Sequence, residues 1–181
     1  MEEIIRKNGG EVRYHTEVDS ITEINDEIIV TGSNQEFRSK YLVSCAGLQS
    51  DRIAKLTNPD LPVRIVPFRG EYYKLKKDKR HLVKSLIYPV PDPAFPFLGV
   101  HFTRMINGEV EAGPNAVLAF DREGYGKLSF NLTDSFETFT WPGFLNVAKN
   151  FWKTGLGEFY RSFSKSAFVA VSYTHLTLPT N

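Results

Sequence analysis

The stretch that most constrains this chain is Tyr41-Leu42-Val43-Ser44-Cys45-Ala46-Gly47, an apolar run that ends in small residues. It is followed at once by Ser50-Asp51 and by Arg52-Ile53-Ala54-Lys55-Leu56. The run reads as a buried strand, and its glycine reads as a tight turn. Ser50 and Asp51 are residue types that begin a helix. A chain built around such a corner must combine strands and helices.

The segments on either side supply both. Ile4 and Ile5 give an apolar helix face, and Asn8-Gly9-Gly10 gives its stop. Residues 11–18 alternate as a strand, and Ile21 and Ile24 continue into a second. Asn25-Asp26-Glu27 turns that strand back onto Ile28-Ile29-Val30-Thr31, and Gly32-Ser33-Asn34-Gln35 turns again before residues 36–40. From Pro62 the texture becomes aromatic and β-rich over residues 63–75, then Leu82-Val83, then residues 86–90. A proline-dense loop through Pro91, Pro93 and Pro96 follows. Residues 97–105 and 109–113 flank Ile106-Asn107-Gly108, an Asn-Gly hairpin signal, so this half predicts an antiparallel sheet. Beyond Gly124 the spacing predicts helices over 136–139, 143–152 and 157–169 with aromatics facing inward. The expectation is an α+β chain of two lobes, residues 1–58 and 59–170. Residues 171–181 read as a non-native tail resembling translated adapter sequence, with a genuine polar C-terminus as the alternative.

Charge and cysteine usage exclude several classes. Among 181 residues, 22 Lys+Arg against 21 Asp+Glu leave a net charge of +1, which argues against a strongly basic nucleic-acid binder. The single Cys45 can form no internal disulfide and no thiolate zinc site, and is expected as a small packing residue. No apolar run approaches the ~20 residues of a membrane span, and the first residues lack the apolar core of a signal peptide. The expected setting is the reducing cytoplasm.

The corner at Ala46-Gly47 has two readings. It is either a site where a dinucleotide approaches the backbone closely or an ordinary strand-to-helix turn, since no GxGxxG fingerprint occurs in the chain. The run Cys45-Ala46-Gly47-Leu48-Gln49-Ser50-Asp51-Arg52, followed by residues 65–73, resembles the L-2-hydroxyglutarate oxidase/dehydrogenase family. So do residues 86–93, 98–104 and 111–120, in one collinear order. These are FAD enzymes of the D-amino-acid-oxidase-like superfamily. The resemblance implies a split, Rossmann-like FAD-binding lobe and an antiparallel substrate lobe with C-terminal helices. Because the family's glycine-rich N-terminal turn has no counterpart here, the chain resembles the middle of such an enzyme. Carried over by position, Val18 falls where a valine backbone meets the adenine of FAD. Ala46 and Gly47 fall beside its phosphate and ribose.

The implied reaction oxidises a 2-hydroxy acid, L-2-hydroxyglutarate to 2-oxoglutarate, with oxygen or a quinone as the final electron acceptor. Such chemistry needs a base for the hydroxyl proton and clamps for the carboxylates. His101, on a strand between Val100 and Phe102, is the candidate base, with a structural histidine as the alternative. Arg69, Tyr88 and Arg104 are the candidate substrate-binding residues, and surface charges at strand ends are the alternative for the two arginines. His15 and His81 sit in polar stretches and read as solvated. Asn131-Leu132-Thr133 fits a glycosylation acceptor that a cytoplasmic chain would not use. Trp141, Phe144, Phe151, Trp152, Phe159, Tyr160, Phe163 and Phe168 read as core packing. Lys149, Lys153, Arg161 and Lys165 interleave with them and leave open a peripheral membrane or partner face. Two other classes stand beside the hydroxy-acid enzyme: an FAD-dependent amine or amino-acid oxidase, and a non-enzymatic β-rich binding module.

Overall fold

The computed structural model describes residues 1–90 and 99–176, so the proline-dense loop, Phe97-Leu98 and residues 177–181 lie outside the described residues. The chain divides into two compact units, Met1–Ile65 and Val66–Asn181.

In the first unit, helix α1 (Glu2–Lys7) stops where the glycines stand. Gly9, at φ +80°, reverses the chain, and the Gly10 N–H donates to Ile5 O at 2.9 Å. Strands β1 (Ser20–Ile24), β2 (Glu27–Gly32) and β3 (Gln35–Ser39) form an antiparallel sheet in that order. Both turns hold two residues at positive φ, Asn25 and Asp26, then Ser33 and Asn34. This geometry matches the right-handed twist of the strands it joins. Ile21 and Ile29 are its buried residues.

Two expected strands do not form. Residues 11–18 join no ladder; instead Asp19 N–H donates to Thr31 O at 2.8 Å, and Glu17 N–H donates to Ser33 Oγ at 3.1 Å. The run 41–46 is also without regular structure, with Tyr41 and Val43 more than 80% exposed, at 86% and 82%. A strand exists only as part of a ladder, and among the described residues none pairs with this run. Cys45 is therefore exposed rather than a packing residue. A 3₁₀ turn at Gly47–Gln49 leads into α2 (Ser50–Lys55). The buried Asp51 carboxylate accepts from Ile65 N–H at 2.9 Å and ties the end of the unit to this helix.

In the second unit, β4 (Phe68–Lys74), β5 (His101–Arg104) and β6 (Val110–Leu118) form an antiparallel sheet in the order β4-β6-β5. The Asn-Gly turn joins β5 to β6, with Gly108 at φ +80°. Strand structure begins at Phe68 rather than at Val63, and Leu82 ends a 3₁₀ turn that starts at Lys77. Of residues 86–90, Ile87 alone bridges, to Phe102.

Helices α3 (Leu132–Thr140), α4 (Pro142–Phe163) and α5 (Lys165–Leu176) follow. The single helix expected over 157–169 is broken at Ser164, whose Oγ accepts from Ala167 N–H at 3.3 Å and caps α5. Helix α5 continues past residue 170, and Ser172 within it is buried. Phe168, 2% exposed, packs with Val100, Ala112, Tyr73, Leu75 and Phe102 to form the core.

The expected inward-facing aromatics are only partly so. Phe144 and Phe168 are buried, whereas Phe136, Trp152, Tyr160 and Phe163 are exposed. Helix α3 shows why. Its inward positions are taken by Asp134, Ser135 and Thr138, because the preceding loop leaves backbone groups to satisfy. Asp134 accepts from Arg122 N–H at 2.8 Å, and Ser135 Oγ donates to Phe120 O at 3.0 Å. Asn131, the potential glycosylation acceptor, is the α3 cap, its side chain accepting from Asp134 N–H.

Candidate active site

The β4-β6-β5 sheet has two different faces. Side chains alternate along a strand, so Arg69, Glu71 and Tyr73 share one face of β4, and Gly70 and Tyr72 the other. The first face is covered by helices: Ser162 Oγ on α4 donates to Glu71 Oε1 at 2.8 Å, and Phe168 on α5 packs on Tyr73 at 4.7 Å. On β5, Phe102 joins that same core, which places His101 and Thr103 on the opposite face.

His101 is 8% exposed and sits in an aromatic setting. Its ring stacks on Tyr88 at 4.6 Å between centroids and 25° between planes, and meets the Tyr72 ring edge-on at 6.5 Å. The Ile87–Phe102 bridge sets this register, since in an antiparallel pair it puts Tyr88 across from His101. The His101 Nδ1 lies 3.2 Å from Gly99 O. A carbonyl can only accept, so Nδ1 is the donor in this contact, and in the neutral ring that makes Nε2 the acceptor. A bare imidazole nitrogen is what a general base presents.

The arginines are placed elsewhere. Arg69, expected as a carboxylate clamp, is buried on the helix-covered face. Its Nε and Nη2 donate to Glu71 Oε1 at 3.2 and 2.8 Å, and its Nη1 donates to Gly126 O at 2.9 Å. Arg104, three residues from His101, also projects away from it by strand alternation, and its Nη1 donates to Val83 O at 3.1 Å. The fold thus brings Tyr88 to His101 and keeps both arginines off that face. Tyr72 is the residue that sequence reading missed there. Its signal was available in the alternation of Arg69-Gly70-Glu71-Tyr72, which puts it opposite the charged pair. His15 and His81 are exposed, as expected.

In the first unit, Gly47 has φ +53°, and a Cβ built there meets no atom within 4 Å, so its backbone is open to an approaching group. Ala46 and Val18 are half-buried. Among the described residues, no group of His, Cys, Asp and Glu is arranged to hold a metal. No helix among them is long and apolar enough to cross a membrane.

The profile described as DAO, FAD dependent oxidoreductase, matches residues 1–164, and the chain belongs to that family. Among curated relatives, it is 56% identical over 161 residues to an L-2-hydroxyglutarate dehydrogenase of Indibacter alkaliphilus, covering 88% of this chain and 40% of the relative. It is 44% identical over 170 residues to the L-2-hydroxyglutarate dehydrogenase of Escherichia coli K12, covering 93% and 40%. It is 53% identical over 131 residues to the mitochondrial L-2-hydroxyglutarate dehydrogenase of Dictyostelium discoideum, covering 72% and 29%. The chain thus spans at most about two fifths, 40%, of the length of these relatives.

Proposed function

We propose that the protein oxidises a 2-hydroxy acid, L-2-hydroxyglutarate to 2-oxoglutarate, and that the second unit carries its substrate-facing sheet. The observation that carries this reading is the buried His101, its Nδ1 on Gly99 O and its ring stacked on Tyr88, on the face opposite α4 and α5. The substrate is taken from the names of the relatives.

His101 Nε2 accepts the proton of the substrate hydroxyl as the C2 hydrogen leaves with its electron pair. FAD, when bound, supplies the acceptor for that hydride. The Tyr88 ring fixes the imidazole plane, and the apolar ring faces exclude water from one side of it. Val18, Ala46 and Gly47 are the residues of the first unit assigned to hold FAD, and the open backbone at Gly47 supports the assignment. Electrons pass on to oxygen or a quinone. The exposed Trp152, Tyr160 and Phe163, with Lys153 over the Trp152 ring and Lys127 over the Phe163 ring, support a peripheral contact with a membrane surface, to be tested by vesicle flotation.

The deciding experiment mixes the FAD-loaded protein anaerobically with substrate and follows flavin absorbance. L-2-hydroxyglutarate is expected to bleach it. Bleaching by amino acids and not by hydroxy acids would replace this reading with an amino-acid oxidase.

A further inference from the structure

The face opposite α4 and α5 holds a second phenol besides Tyr88, and its surroundings are shaped around it. The Tyr72 ring lies down along the sheet over two positions that are both glycine. A Cβ at Gly113 would stand 2.6 Å from Tyr72 Cδ1, and one at Gly70 would stand 3.3 Å from Cε2. Any other residue at 113 would lift the ring off the strand. The residue is 46% exposed, and its hydroxyl makes no hydrogen bond to any described residue. The neighbouring Tyr125 hydroxyl, in contrast, is committed to Gly70 O.

Among the described residues, the arginines and the lysine of β4 and β5 are already engaged. Arg69 and Arg104 project from the opposite side, and Lys74 pairs with Glu109 at 2.7 Å and reaches Glu111 at 3.9 Å. Tyr72 therefore offers an acidic ligand a neutral donor on this face. We propose that Tyr72 contacts the substrate directly, its phenol hydroxyl donating to a carboxylate oxygen of a 2-hydroxy acid. The proposal rests on the reading of His101 as the base at the same face. Burial, with Tyr125, Glu111 and Tyr88 nearby, pushes the phenol up from its ordinary range, so Tyr72 stays a protonated donor at neutral pH. A carboxylate is an acceptor only, and a hydrogen bond to a charged acceptor is among the stronger ones a side chain makes.

The test titrates L-2-hydroxyglutarate into the full 181-residue chain while the His101 ring resonances are followed by NMR. Wild type, Tyr72→Phe and Tyr125→Phe are compared, each first checked for an unchanged melting temperature. Saturable shifts at His101 are expected in the wild type, with a dissociation constant raised about tenfold in Tyr72→Phe and unchanged in Tyr125→Phe. Wild-type shifts with equal affinity in Tyr72→Phe would overturn the role of Tyr72 and leave that of His101 standing. No saturable shift at His101 in the wild type would overturn both.

Discussion

The buried Arg69 pairs with the partly buried Glu71, 2.8 Å from Nη2 to Oε1, on the face of the sheet that α4 covers. The pair stands two residues apart on β4 and is joined by Ser162 from the helix. Its role is to lock helix to sheet, and the consequence concerns stability rather than substrate affinity. Arg69→Ala leaves the partly buried Glu71 carboxylate with the Ser162 hydroxyl but without its cation, a change expected to cost about 1–3 kcal/mol. Urea denaturation should show that loss, and replacing both partners by apolar residues of similar size should recover much of it.

The acid-base behaviour of this interface follows from two carboxyls shifted in opposite directions. Burial pushes Glu71 up, but the hydrogen bonds from Arg69 and Ser162 and the charges of Lys127 and Arg69 outweigh it, leaving the group below the ordinary carboxylate range. Burial raises Glu158, and Arg161 and the Ala116 N–H offset only part of that rise. Glu71 therefore contributes stability that is present above its unfolded value and lost as pH falls toward its folded one. Glu158 contributes the reverse: stability declines as pH rises from its unfolded value to its raised folded one. Denaturation across pH 3 to 7 should show Glu71→Gln flattening the acid limb. Glu158→Gln should remove the decline just above the ordinary carboxylate range.

The opposite placement of His101 and Arg104 separates two mutants kinetically. In the FAD-loaded protein, His101→Ala should lower kcat by about 10²–10⁴-fold, the usual contribution of a positioned base. Arg104→Ala, which removes only a bond to Val83 O on the other side of the sheet, should leave KM for L-2-hydroxyglutarate essentially unchanged. A KM that rises with a dicarboxylate and not with a monocarboxylate would place Arg104 on the substrate after all.

Phe168 is the deepest described side chain of α5, and it packs against β5 and β6. Phe168→Ala should cost about 3–5 kcal/mol, the range for emptying a buried aromatic site. Thermal unfolding read by far-UV circular dichroism measures it.

Local signals determined much of this protein. Gly9, the turns at Asn25-Asp26 and Ser33-Asn34, and Asn107-Gly108 fix their chain reversals because each needs backbone angles that few residues adopt, so the hairpins were legible directly. The α+β class and the approximate positions of the helices were legible from periodicity. The strand expected at 41–46 was not, because a strand is completed by its ladder and no residue carries its partner's address. Nor was the fate of Arg69 and Arg104. Sequence places an arginine near a histidine, but the pleat decides which face each occupies, and the packing of α4 and α5 decides which face is closed. Tyr72 and Tyr88 came to His101 through strand pairing across segments far apart in the chain, a relation that exists only once the sheet has formed.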